Sequence, residues 1–156
     1  MLPDREKLAA ALRGIVANSK DGIASLQEVA NLLQSAGGYR WVGLYDVDHD
    51  AGLVKNIVWS GPGAPEYPVF SVTKGLTSAA ISGHKSINVG DVAADPRYLT
   101  AFGSTRSEII VPIFDSSGQK VVGTLDVESE YPNAFDPATQ SFLEACSAIL
   151  QPLWHR

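Results

Sequence analysis

The sequence is short of sulfur and of positive charge. Its 156 residues hold one cysteine, Cys146, and one methionine. A single cysteine excludes an intramolecular disulfide and any cysteine-rich zinc site. It also excludes chemistry in which one thiol of the chain resolves another. The three histidines, His49, His84 and His155, are scattered without metal-ligand spacing, so neither a metal nor another cofactor is expected. There is no Gly-rich phosphate loop, no Ser nucleophile elbow, no internal repeat and no low-complexity stretch. No apolar run approaches the ~20 residues of a membrane span. The first seven residues lack the apolar stretch of a signal peptide. Lys and Arg number 12 against 17 Asp and Glu, a net charge of -5. This argues against nucleic acid or an anionic membrane surface as partner. A cytoplasmic protein is the expectation.

What is present reads as one domain over residues 1–156, with a hydrophobic content of 45% that suffices for a core. Leu8, Leu12, Ile15 and Val16 recur at helical spacing and predict an N-terminal helix within residues 1–20. Ile23, Leu26, Val29, Ala30 and Leu33 predict a second helix. It is capped by Asp21 and ends near Gly37-Gly38. Residues 40–48 and 52–60 then read as a hairpin, 61–68 as a Gly- and Pro-rich loop, and 69–72 as a short strand. A short helix over 76–82, a strand over 86–89 and a long irregular stretch over 90–104 follow. Residues 107–114 and 120–129 read as a second hairpin. Asp136-Pro137 opens a last helix that runs towards Pro152. This order implies an α+β domain with a central antiparallel sheet. Terminal helices would cover one face and the loops of residues 61–104 the other, with a ligand pocket beneath the loops.

Strand alternation puts Trp41, Gly43 and Tyr45 on one face. Either the gap at Gly43 admits a ligand between two rings, or Gly43 only relieves crowding beneath a core aromatic pair. Asp126 and Glu128 also share a face. With Phe114 opposite Gln119 across the second turn, Glu108 falls opposite Leu125, or opposite Asp126 with a one-residue register error. Three carboxylates then crowd one corner of the sheet. A ligand ammonium, internal pairing with Lys74, Arg97 or Arg106, or exposure to water would each relieve them. Thr77 either accepts a ligand hydrogen bond or simply begins the short helix. Cys146 lies in the stripe Phe142, Cys146, Ile149 and Leu153, which points to packing rather than reactivity. His84 closes a helix, where interaction with the helix dipole is the plain reading.

The stretch Gly90-Asp91-Val92-Ala93-Ala94-Asp95-Pro96-Arg97-Tyr98, followed by SEIIVPIF and VVGTLDVES, resembles a GAF domain over roughly residues 21–150. Within that superfamily the sequence is similar to the free methionine-(R)-sulfoxide reductases. Their W-x-G-x-Y, S-E-I-V and L-D-x-D motifs read here Trp41-Val42-Gly43-Leu44-Tyr45, Ser107-Glu108-Ile109-Ile110 and Leu125-Asp126-Val127-Glu128. The resemblance implies that Glu108, Asp126 and Glu128 hold a ligand's α-ammonium while Trp41 and Tyr45 flank its side chain. It also places the reductases' cysteines at Tyr67, Thr77 and Ala101, none of which is a cysteine here. A hydroxyl or methyl group does not replace a thiolate as a sulfur nucleophile.

The expectation is therefore a catalytically silent protein that binds an amino acid or similar amine. Its role would be sensory or regulatory, acting through a partner or a homodimer. The alternatives are a reductase-like enzyme and a degenerate scaffold that only dimerises.

Overall fold

The computed structural model describes residues 4–98 and 103–154. Local signals in the sequence set its elements. Helix α1 (Arg5–Ala17) begins where the Asp4 carboxylate accepts from the amides of Glu6 and Lys7. Helix α2 (Gly22–Gly37) is capped the same way by Asp21, as its sequence predicts, and stops at Gly38, whose φ of 65° only glycine adopts without strain. Strands β1 (Trp41–Asp48) and β2 (Leu53–Ser60) form the first hairpin, its turn held by the Ala51 amide on Asp48. Strand β3 (Val69–Ser71), helix α3 (Gly75–Gly83) and strand β4 (Ile87–Val89) follow. A 3-10 turn over Val92–Ala94 then anchors the stretch read as irregular by burying Val92. Strands β5 (Ser107–Phe114) and β6 (Val121–Ser129) form the second hairpin. Helix α4 (Pro137–Leu150) starts at the Asp136 cap and passes into a 3-10 turn at Gln151–Trp154.

The six strands form one antiparallel sheet in the order β3-β2-β1-β6-β5-β4. Helices α1, α2 and α4 cover one face. Leu12, Leu26 and Leu33 from the first two helices, with Leu143, Cys146 and Leu150 from α4, meet Val42, Leu44, Ile109, Val111, Leu125 and Val127 of the sheet there. The stripe on α4 is turned slightly from its expected setting. Leu143, Cys146 and Leu150 are buried, and Phe142 and Ile149 flank them half-buried. Helix α3 and the segments around it cover the other face. The α+β architecture expected from the element order is therefore the one observed. Among the described residues, no helix is long and apolar enough to cross a membrane.

The hairpin β5–β6 departs from its expected register. Glu108 faces Glu128 rather than Leu125 or Asp126, and the regular pairing runs from Ser107 opposite Ser129 to Ile113 opposite Gly123. Two local features account for the three-residue shift. Asp115 organises a longer turn, its carboxylate accepting from Ser117, Gln119 and Lys120 while Gly118 takes a φ of 74°. The ladder also slips between Ile113 and Phe114, leaving Phe114 opposite Val121.

Candidate ligand-binding site

Alternation along the central strands builds the site on the face away from α1, α2 and α4. On β1 this face carries Trp41, Gly43 and Tyr45, paired respectively with Glu128, Asp126 and Thr124 of β6. On β5 it carries Glu108 and Ile110, paired with Glu128 and Asp126. The register thus gathers three carboxyls and two aromatic rings into one patch. All three acids are nearly inaccessible, at 6% for Glu108, 5% for Asp126 and 1% for Glu128.

The patch floors a narrow hollow that opens to solvent at its mouth and encloses about 30 Å3 of free space, room for one or two water molecules. Tyr45, Thr77, Glu108, Asp126 and Glu128 line it. Its roof comes from Pro65, Tyr67 and Phe70 on the loop and strand after β2, and from Gly75 and Leu76 at the start of α3. Phe70 packs edge-on against Tyr45, with ring centroids 5.9 Å apart. Trp41 does not reach the lining. Its indole lies fully buried over Gly43, where an added Cβ would collide with the ring, and its Nε1 donates to the Gly63 carbonyl at 3.0 Å. The gap left open by glycine is thus filled by Trp41 itself, and the indole backs the Tyr45 ring at 6.3 Å.

Electrostatics distinguishes the acids. Oε1 of Glu128 accepts from Oγ1 of Thr105 at 2.6 Å and from the Tyr98 hydroxyl at 3.1 Å. Burial pushes its carboxyl upward, and these two donors, with Glu108, oppose the rise. Burial, then the charge of Glu128 and Asp126, holds Glu108 well above the usual carboxylate range. Burial lifts Asp126 to about 8; neighbouring Thr124 tempers this and the Glu128 charge adds to it. Thr124 Oγ1 and Asp126 Oδ1 nevertheless lack a well-formed hydrogen bond. The Tyr45 phenol is raised by burial and then by all three acids.

The basic residues considered as internal partners do not relieve this charge. Arg97 pairs with Asp95 at 2.7 Å. Lys74 and Arg106 form no ion pair among the described residues. Nor do the described residues contain a His, Cys, Asp and Glu grouping suited to a metal ion.

Comparison with known proteins places this architecture. The family model "GAF domain" matches residues 21–150. The chain belongs to the GAF domain family. It is 28% identical over 145 residues to GAF domain-containing protein A of Dictyostelium discoideum, covering 93% of this chain and 89% of that protein. It is 25% identical over 152 residues to the free methionine-R-sulfoxide reductase of Saccharomyces cerevisiae, covering 93% of this chain and 82% of the yeast protein. Among solved structures, it resembles the Neisseria meningitidis free methionine-R-sulfoxide reductase in complex with its substrate. There the TM-score is 0.88 at 29% identity, over 96% of this chain and 87% of that one.

In this GAF domain the one thiol lies across the sheet from the hollow. Cys146 is fully buried in the α4 layer, and burial pushes its thiol up to about 12. Of the three positions where the reductase likeness places cysteines, Tyr67 and Thr77 line the hollow. Ala101 falls outside the described residues. His84 caps α3 with a φ of 52° and stacks on Phe114, away from the acids. His49 bonds to the Val121 carbonyl at 2.6 Å, and His155 lies outside the described residues. Sequence reasoning missed Thr105 and Tyr98 as partners of Glu128, and Phe70 as a wall. Tyr98 and Thr105 lie in the described parts of the connection between β4 and β5, and their hydroxyls meet at Glu128 through tertiary packing that no local pattern shows.

Proposed function

We propose that this GAF domain is a sensory or regulatory module that binds a free amino acid or a similar small amine. Glu108, Asp126 and Glu128 hold the ammonium group. Tyr45, backed by Trp41, walls the ligand's side chain together with Phe70, and Thr77 offers a hydroxyl. One observation carries this reading. Three buried carboxyls line a single hollow with no Lys, Arg or His among its described lining residues. An ammonium supplies positive charge and three N–H donors at once. Its likeness to a reductase solved with its substrate supports an amino acid as the ligand class. The buried position and raised pKa of Cys146 speak against thiol chemistry at the site.

A thermal-shift screen of free amino acids and their sulfoxides tests the binding. At least one should raise the melting temperature, because a ligand that binds only the folded state stabilises it. The double variant Glu108→Gln with Asp126→Asn should abolish the rise, and a rise that persists unchanged in that variant removes the acids from the site. The second reading, a reductase-like enzyme, is favoured by the overall likeness to the Neisseria and yeast proteins. Incubation with free methionine sulfoxide and a dithiol separates the two. No turnover above buffer is expected, and sustained protein-dependent reduction establishes the enzyme instead.

A further inference from the structure

We propose that protons hold the three acids of the hollow together before a ligand enters, and that an entering ammonium group expels one of them, tying ligand occupancy to pH. This inference rests on the amine-binding reading above and adds a regulatory property to the same site.

The geometry comes first. Glu108 stands directly opposite Glu128, and Asp126 is two residues along the same face of β6. Three ionised carboxylates here would repel one another after losing their hydration. Among the described residues, few titratable groups face the hollow from the elements packed around it. They are Tyr45 on β1, Glu108 on β5, Asp126 and Glu128 on β6, and Tyr67 on the loop before β3. Tyr98 reaches Glu128 from the side. Helix α3 contributes no charged lining residue. Tyrosines are neutral near pH 7, so the acids have only one another to balance against.

Counting donors then assigns the protons. Glu128 receives two hydroxyl donors and is the anion. Glu108 faces Glu128 across the ladder, and a proton on Glu108 lets the two carboxyls meet there without like charges opposed; its raised carboxyl agrees. Asp126 Oδ1 has no well-formed hydrogen bond, the neighbouring Thr124 hydroxyl included. As a carboxylate it would be a bare buried charge, and as a carboxylic acid it is neutral. The rise of Asp126 to about 8 agrees with that assignment. An ammonium within contact distance favours the ionised form, typically by ~1–3 pKa units. That carries Asp126 through neutrality. Its proton leaves for solvent, and the ligand's N–H takes its place at Oδ1.

Two measurements test this. The first is difference infrared spectroscopy of the ligand-free protein against Asp126→Asn. It should show a protonated-carboxyl band at pH 7 that titrates away near pH 8, and an Asp126 already ionised at pH 6 overturns the proposal. The second is calorimetry with L-methionine sulfoxide as probe, at pH 7, in buffers of different ionisation heat. Release of about 0.4–0.9 proton per ligand is expected, falling towards zero at pH 9 and in Asp126→Asn. Binding whose heat does not depend on the buffer overturns the proton coupling and leaves the amine-binding reading intact. Absence of binding at every pH overturns both.

Discussion

Glu108 faces Glu128 across the β5–β6 ladder, each nearly sealed from water. Like charges directly opposite on a ladder are destabilising, so the pairing stores an electrostatic cost that protons or a ligand must relieve. Asp126 on the same face adds to that cost.

The first consequence is an acid-favouring stability profile. In the unfolded chain Asp126 ionises near its ordinary value of 3.8, whereas in the fold it stays protonated to about 8. Between these values the native state binds more protons than the unfolded state, so stability falls as pH rises and levels off above about 8. Glu108 and Glu128 are raised too and act in the same direction. The slope is bounded at about 1.4 kcal/mol per pH unit for each carboxyl. Thermal melts of the ligand-free protein from pH 5 to 8 should decline steadily, and Asp126→Asn should flatten the decline.

Thr105 reports on the charge of Glu128. Its 2.6 Å hydrogen bond is buried and ends on a carboxylate. Thr105→Val keeps the shape and removes the donor, leaving Tyr98 as the remaining hydroxyl partner. A loss of about 1.5–3 kcal/mol is expected at pH 8, and less at pH 5, because acid moves Glu128, whose carboxyl burial raises, towards its neutral form. Urea denaturation at the two pH values measures the difference.

Cys146 should behave as a core residue. A thiol held near 12 and sealed beneath α4 should resist alkylation in the native protein and react only in denaturant. Cys146→Ala should cost about 0.5–3 kcal/mol of stability and leave the thermal shift produced by a bound amino acid unchanged.

Gly43 should tolerate no side chain. An added Cβ meets the Trp41 indole, which is walled in on all sides. Gly43→Ala should destabilise the protein by about 1–3 kcal/mol through overpacking. The displaced indole would also press on Tyr45, so ligand binding should weaken as well. Denaturation and thermal shift on the same variant read both effects.

Much of the fold was legible because its boundaries are chemical. Asp21 and Asp136 cap helices, Gly38 ends one, and Gly52 and Gly118 turn hairpins. Sharing of one face by Trp41, Gly43 and Tyr45, and by Asp126 and Glu128, follows from period-two alternation alone. The register of β5 on β6 was not legible. It depends on how the Asp115 carboxylate folds its turn and on a slip at Phe114, and neither leaves a mark in the hydrophobic pattern. Arg97 offered a plausible partner for the acids, yet Asp95 two residues away takes its guanidinium first. Phe70, Thr105 and Tyr98 reach the site through the paths of connecting segments, which tertiary packing rather than local propensity decides.

The most direct test is a crystal structure of the protein soaked with L-methionine sulfoxide. The expected density puts the ligand's ammonium nitrogen within hydrogen-bond distance of Asp126 Oδ1 and the Glu108 carboxyl, with its side chain against Tyr45 and Phe70. A ligand seated elsewhere, or one in the hollow with its ammonium turned away from all three acids, contradicts the account.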